Sequence, residues 1–275
     1  MKIKTLTQKT TIKESGTIYT NAYSEYDQNG NETLAVDYDY DGSETSKTVT
    51  KFNDRNQKTE MQIFCGEDEP KETNFYDDTT KGRIAKETIV YQGVFKSIKT
   101  YEHNPNSLII TTVDEDGNVE EKEEFTTDAD GNVTEHLITD YNGDISLHQV
   151  SQFENGKVII AKNLDKDGRE TDHRIYKYQD DGKLSFMGIL NPKKELLDSY
   201  AYQYDEKGRE TLQTIGSRGK ITTEYDDEAR TVTTTTATGT GRIVNQTITT
   251  NNEDGATIRE EDFNTIREFE YTLYI

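Results

Sequence analysis

The chain repeats a short turn motif at a nearly constant spacing. The clearest copy reads YDEKGRET, from Tyr204 to Thr211, and related copies begin at Tyr26 and Tyr178. The motif glycine, or the residue that replaces it, falls at positions 30, 56, 82, 106, 131, 156, 182, 208, 229 and 255. A period of roughly 25 residues indicates a repeat array in which each copy is one supersecondary unit.

A second set of turn signals falls midway between the first, so that the turns follow one another at the short intervals typical of hairpin strands. Members include Asp41-Gly42, Asp116-Gly117, Asn142-Gly143 and Asp167-Gly168. Gly, Asn and Asp tolerate the left-handed backbone that hairpin turns require. We expect positive φ at the turn glycines of both sets, namely Gly30, Gly117, Gly131, Gly143, Gly168, Gly182 and Gly208.

The segments between the turns alternate with a period of two. Leu34, Val36, Tyr38 and Tyr40 alternate with polar or small residues, and threonine fills the run 231–236. Both patterns are typical of half-buried antiparallel strands. The sequence predicts an all-β fold, a meander of about 20 antiparallel hairpin strands in one coiled or rolled sheet. Positions 1–275 would form one array of about ten repeats of roughly 25 residues. The stretch 257–269 has irregular spacing and favours strand over helix.

The composition is poor in aliphatic residues, so tyrosine must supply much of the apolar surface. Leu, Ile, Val and Phe make up 54 of the 275 residues, and the net charge is -21, a combination common in disordered chains. The 17 tyrosines offset this because each ring buries apolar area while its hydroxyl reaches water. We expect seven of them to be largely buried or stacked across strands: Tyr38, Tyr40, Tyr176, Tyr178, Tyr202, Tyr204 and Tyr225.

The sequence leaves open whether the sheet is an open ribbon or a closed tube. In an open ribbon the end strands need a cap, since an unpaired edge invites dimerisation. The first strands, 2–19, and the last, 266–275, are the candidate caps.

Charge and segment composition restrict the partners and the compartment. With 53 acidic and 32 basic residues, the chain would repel duplex nucleic acid and anionic membranes, whereas a basic protein partner is permitted. No segment is apolar enough for membrane insertion. The start MKIKTLTQKT has no signal-peptide core, so we expect a cytoplasmic protein if Met1 is the native start, and a secreted or cell-surface protein otherwise. The single Cys65 excludes an internal disulfide framework.

Motifs for catalysis are missing from the sequence. The four histidines are scattered, and no nucleophile elbow or phosphate-binding glycine loop occurs. Acidic pairs such as Glu120-Glu121 are most simply solvated strand faces, although a hydrolase would also need paired carboxylates. We therefore predict no catalytic residues and no cofactor.

Calcium is the only metal for which the sequence offers candidates. Asn163, Asp165 and Asp167 precede Gly168, as in the first half of a calcium loop, but no acid closes that loop. A second set is Asp114 and Asp116, with Glu123 at the twelfth position if the loop begins at residue 112. Because the same residues are ordinary turn formers, turn chemistry is the preferred interpretation for both sets.

The stretch from Tyr204 to Asp227 resembles the Tyr-Asp (YD) repeat of the Rhs and teneurin-like proteins. Tyr204, Asp205, Gly208 and Arg209 match the Tyr-Asp-x-x-Gly-Arg pattern, which is followed by a glycine turn at Gly219 and another Tyr-Asp pair at 225–226. The resemblance implies a spiral of antiparallel hairpins. In bacteria such proteins often belong to secreted or contact-dependent toxin systems, and large members form a shell around a toxic domain, for which this chain looks too short.

Two classes of function are compatible with these patterns. The first is a non-enzymatic binding or scaffold protein that engages a protein partner, for example an acidic, antitoxin-like or immunity protein that masks a basic effector. An adhesin or carbohydrate-binding module with tyrosines as stacking platforms is the alternative within this class. The second and less favoured class is a carboxylate-dependent hydrolase.

Replacing a motif glycine tests the turn assignment. Gly208→Val is expected to lower the free energy of unfolding by roughly 1–2 kcal/mol, because a β-branched residue is strained at positive φ. Thermal and chemical denaturation would measure the loss. An unchanged melting temperature would contradict the role assigned to Gly208.

Overall fold

The computed structural model describes residues 2–79 and 81–274, and within them all regular secondary structure is β-strand. The strands are numbered β1 to β22 in chain order. They are Ile3–Ile12, Ile18–Tyr26, Glu32–Tyr38, Glu44–Phe52, Lys58–Phe64, Glu72–Asp78, Ile84–Tyr91, Val94–Asn104, Ser107–Asp114, Val119–Thr127, Val133–Asp140, Ile145–Glu154, Lys157–Leu164, Glu170–Tyr178, Leu184–Leu190, Leu196–Tyr204, Glu210–Ile215, Gly219–Asp226, Thr231–Thr238, Ile243–Asn251, Thr257–Glu261 and Thr265–Leu273.

All 22 strands belong to one antiparallel sheet in which each strand pairs with the strands before and after it in the chain. This confirms the predicted all-β meander of hairpins. The stretch 257–269 contributes to β21 and β22. The Tyr-Asp turns lie along one edge of the sheet and the second set of turns along the other, because every connection joins sequential antiparallel neighbours.

The first and last strands pair with each other, so the sheet closes into a ring. Thr5 of β1 lies opposite Thr272 of β22, and their hydroxyls are 2.5 Å apart. Lys9 forms an ion pair of 2.7 Å with Glu270 across the same seam. The end strands therefore cap each other, and the alternative of an open ribbon does not apply. Ile275, at the end of the predicted cap, lies outside the described residues.

The turns share one hydrogen-bonding scheme, which explains the motif. In the turn after β2, the Gly30 N–H donates to the Asp27 carbonyl, and the Asp27 carboxylate accepts the N–H groups of Asn29 and Asn31 at 2.8 and 3.0 Å. The Asp side chain thus satisfies donors that the turn would otherwise leave unpaired. The same scheme occurs on both edges, at Asn53, Asp114, Asp128, Asp140, Asp165, Asn191, Asp205 and Asn252.

The ring is one layer thick. Its accessible surface is 17046 Å², whereas a globular protein of this size exposes about 12,000 Å². Among the described residues the buried apolar side chains are Val36, Phe64, Ala161 and Ala237. In the part of the chain that the structure describes, the close backbone neighbours of each strand are the strands that pair with it. A closed sheet of 22 strands spaced about 4.8 Å apart has a circumference on the order of 100 Å, too large for side chains to fill.

An engineered disulfide tests the closure of the ring. In a Cys65→Ser background, Thr5→Cys and Thr272→Cys should form an intramolecular disulfide under mild oxidation, because the hydroxyl oxygens that the sulfurs would replace are 2.5 Å apart. Electrophoresis without reductant and mass spectrometry would detect the crosslink. The control pairs Thr5→Cys with Thr249→Cys on β20, which does not pair with β1. Crosslinks formed only between molecules would contradict a closed ring.

Candidate functional site

The two faces of the sheet differ in exposure on several strands. On β18 the half-buried Ile221, Thr223 and Tyr225 alternate with residues that include the exposed Lys220 and Glu224. On β22 a half-buried set of Arg267, Phe269 and Tyr271 likewise alternates with exposed residues. Side chains crowd together on the inside of a closed sheet, so we assign the less exposed face as the concave face and the other as the convex face. Residues that lie opposite each other on neighbouring strands share a face, so the strand register extends this assignment around the ring.

The tyrosines that begin the motif at Tyr178, Tyr204 and Tyr225 lie on the concave face near one edge. The hydroxyls of Tyr178 and Tyr204 donate to the carbonyls of Val158 and Leu184, each at 2.8 Å. Tyr225 donates in the same way to the carbonyl of Glu210 at 3.1 Å. Each ring therefore leans over the preceding strand and fixes it, which is the structural reason that the motif begins with tyrosine.

The basic residue that follows the motif glycine lies over the aromatic ring of the next copy. Lys157 is 5.2 Å from the centre of the Tyr178 ring, and Lys183 is 5.7 Å from that of Tyr204. Arg209 is 4.0 Å from the centre of the Tyr225 ring. These cation–π contacts link successive repeats along the edge.

Arg209 is further held by two carboxylates. It donates to Asp205 of its own turn at 2.8 Å and to Asp227 of the next turn at 2.6 Å. Arg209 therefore links its own turn at Asp205 to the Tyr225 ring and to the next turn at Asp227.

A strip of carboxylates and aromatic rings crosses the concave face from β6 to β11. Tyr76 lies opposite Glu87, and the Tyr101 hydroxyl donates to Glu87 at 3.2 Å. Further along, Glu123 is 2.7 Å from the His136 ring nitrogen Nε2. The His136 ring stacks on Phe125 with 4.2 Å between ring centres. We call the set of Tyr76, Glu87, Tyr101, Glu123, Phe125 and His136 the concave strip.

The carboxylates of the concave strip have no lysine or arginine partner within ion-pair distance in residues 2–79 and 81–274. Lys99 lies opposite Glu87 in the register without forming an ion pair with it. Burial, followed by the nearby Glu87 carboxylate, raises the pKa of Tyr76 and of Tyr101 to about 12. The strip thus combines partly buried tyrosines with two carboxylates that form no ion pair with lysine or arginine in the described chain.

The side chains of the first predicted calcium set form hydrogen bonds and an ion pair within a turn and between strands. Asp165 accepts N–H groups of its own turn, Asp167 pairs with Arg169 at 2.8 Å, and Asn163 donates to Asp172 on β14. In the part of the chain that the structure describes, no three acidic, histidine or cysteine side chains converge as metal ligands.

The second calcium set is likewise divided between a turn and the concave strip. Asp114 accepts the N–H groups of Asp116 and Asn118. Glu123 contacts His136.

The predicted structural residues occupy turns and both faces of the sheet. The seven turn glycines Gly30, Gly117, Gly131, Gly143, Gly168, Gly182 and Gly208 have φ between 76° and 92°. Tyr176, Tyr178, Tyr202, Tyr204 and Tyr225 are half-buried on the concave face, and Tyr38 is half-buried on the convex face. The prediction that Tyr40 is buried is wrong: its side chain is 65% exposed, because β3 ends at Tyr38 and Tyr40 lies in the following turn.

Sequence reasoning did not identify the concave strip or a second cluster on the convex face. In that cluster the nearly buried His173 is 2.7 Å from Glu170 and 2.8 Å from Lys194. Hydrogen bonds from Lys194 and His173 lower the pKa of Glu170 to about 2. The sequence signal at these positions is the period-two alternation of the strands. Alternation does not reveal which side chains meet across strands.

Comparison with known proteins gives similarity at the level of structure only. No family model matches the chain, and no curated protein matches it. A chain of the TcdB2-TccC3-TEV crystal structure aligns with 88% of this chain and 15% of its own length, at 11% identity and a TM-score of 0.43. A porin-like protein from Bacteroides uniformis aligns over 98% of both chains at 10% identity and a TM-score of 0.36.

A chain of the Photorhabdus luminescens Tc holotoxin pore is also similar, covering 96% of this chain at 11% identity and a TM-score of 0.34. This chain spans 18% of that one. Separately, none of the residues described here form a helix long and apolar enough to cross a membrane.

The raised tyrosine pKa values predict a loss of stability at high pH. An unfolded chain ionises its tyrosines near pH 10, whereas folded Tyr76 and Tyr101 stay neutral until about 12. Their contribution to stability is therefore complete below pH 10 and is lost as the pH rises from 10 to 12. Ultraviolet titration of tyrosinate should show a late phase that shrinks in Tyr76→Phe and Tyr101→Phe.

Glu87→Gln should move that late phase to lower pH, since it removes the neighbouring charge while conserving size. In denaturant the late phase should disappear for every variant. A late phase that is unchanged in both tyrosine variants would contradict the assignment.

Proposed function

We propose that the protein is a non-enzymatic binding shell that engages a basic protein partner through its concave face. The observation that carries the proposal is the concave strip, in which Glu87 and Glu123 face the inside of the ring beside aromatic rings and without a lysine or arginine ion partner in the described chain. Carboxylates next to aromatic faces suit lysine and arginine side chains, which pair with the charge and stack on the ring.

Several further features support a protein ligand over a small one. The net charge of -21 would attract a basic chain over long range and speed association. The strip extends across six strands, β6 to β11, which matches an extended polypeptide better than a compact metabolite. The single-layer wall leaves the concave face accessible to solvent.

The resemblance of residues 204–227 to the YD repeat suggests a biological setting for such a partner. We propose that the partner is a basic effector of a toxin system, which this protein masks in the manner of an antitoxin or immunity protein. Co-expression with a basic toxin encoded by a neighbouring gene would test this part. Failure to rescue growth would count against the toxin setting and leave the binding face to be tested separately.

Fluorescence anisotropy with a labelled deca-lysine peptide tests the concave face directly. The double variant Glu87→Gln/Glu123→Gln should weaken binding about tenfold or more, because two desolvated charges are lost. The matched control, Glu102→Gln/Glu154→Gln, removes two exposed charges from the convex face of β8 and β12 and should have a much smaller effect. Added salt should weaken binding by the unaltered protein.

Two outcomes would overturn the proposal. Equal weakening by the two double variants would mean that net charge alone attracts the peptide and that the concave face has no special role. Binding of a deca-glutamate peptide as tight as that of deca-lysine would exclude a basic partner.

A further inference from the structure

A groove on the surface near the start of the chain is lined by four tyrosines. It has a volume of about 510 Å³, and its lining includes Ile18, Tyr19, Tyr23, Tyr38, Tyr40 and Asp41. Tyr40 is 65% exposed and Ile18 67% exposed, and both border the same groove. The groove therefore presents aromatic surface to solvent.

Strand pairing positions two of these rings on the convex face. Tyr23 of β2 lies opposite Val36 of β3, and Tyr38 follows two residues later on the same face of β3. The Tyr23 hydroxyl donates to Glu25 at 2.9 Å, which anchors that ring. Val36, opposite Tyr23, is buried and forms the base of the site.

The tyrosine rings of the groove form no cation–π contact with a lysine or arginine of the described chain. Elsewhere, lysine or arginine side chains lie within about 6 Å of the ring centres of Tyr76, Tyr91, Tyr178, Tyr200, Tyr204 and Tyr225. No such contact involves Tyr19, Tyr23, Tyr38 or Tyr40 among residues 2–79 and 81–274. The rings of Tyr23 and Tyr38 on the convex face and the exposed ring of Tyr40 are therefore available to an external cation. Tyr19 lies opposite Thr10 on the concave face and borders the groove from the other side of the sheet.

The segment that builds the groove is strongly negative. Residues 14–46 contain eight carboxylates and no lysine, arginine or histidine. The lysines that flank this segment are engaged elsewhere: Lys13 pairs with Glu261 at 2.7 Å, and Lys47 lies over the Phe64 ring at 4.3 Å. The local potential thus favours a positively charged ligand.

Donors of the turn already use one carboxylate oxygen of Asp39 and one of Asp41. Asp39 accepts the Tyr40 N–H at 2.7 Å, and Asp41 accepts the N–H and hydroxyl of Ser43. A primary ammonium needs acceptors for its three protons, whereas a quaternary ammonium has none to donate and is held by aromatic faces and the surrounding negative charge.

We propose that this groove binds a quaternary ammonium cation of the choline type. The tyrosine faces contact the methyl groups, and the carboxylates of the segment supply the long-range attraction. The site is separate from the concave strip and does not depend on the function proposed for it.

Isothermal titration calorimetry with choline tests the assignment. The neutral isostere 3,3-dimethylbutan-1-ol has the same shape without the charge and should bind much more weakly. Tyr40→Leu should weaken choline binding about threefold to tenfold, whereas Tyr40→Phe, which keeps the ring, should bind nearly as well as the unaltered protein. Tyr141→Leu, at an exposed tyrosine on another part of the ring, is the matched control and should change nothing.

Tyr40 is largely exposed, so its replacement should leave the fold intact, and circular dichroism would verify this. Absence of heat with choline, equal binding of the neutral isostere, or equal losses in Tyr40→Leu and Tyr141→Leu would each overturn the proposal. Binding of methyl glucoside with the affinity of choline would instead assign the groove to carbohydrate.

Discussion

The backbone ladder between neighbouring strands is the interaction on which the whole structure depends. With one layer and little buried apolar surface, the chain has no thick core to hold its strands together, and each strand is fixed by its two neighbours. The pairing of β1 with β22 gives every strand two partners. A closed sheet has no free edge, so the unpaired N–H and C=O groups that promote aggregation of long sheets are absent from its sides.

Closure also creates two chemically different surfaces from one alternating pattern. The concave face collects the motif tyrosines, whose hydroxyls bond to the preceding strand, together with the acidic and aromatic residues of the concave strip. The convex face carries exposed charged residues such as Lys220, Glu224, Glu268 and Glu270. The tyrosine groove departs from this division, since it displays rings on the convex face within a segment that lacks basic residues.

Much of the fold could be predicted because its determinants are local. The Asp and Gly of each turn carry their own hydrogen bonds and backbone conformation, so their spacing in the sequence gave the positions of the hairpins. Tyr40 shows the limit of alternation: it continues the pattern of β3, yet the turn begins before it and leaves the ring exposed. The concave strip could not be predicted, because Glu87 meets Tyr101, and Glu123 meets His136, only through the register of separate strands.

The sequence by itself determined the hairpin architecture, the strand lengths and the turn chemistry, since each depends on residues a few positions apart. Tertiary structure alone decided that the ring closes and which face is concave. Closure requires pairing between the two opposite ends of the chain, for which no local signal exists. Period-two alternation distinguishes two faces without saying which one turns inward, so the location of the candidate binding surface followed only once the sheet had curved and closed.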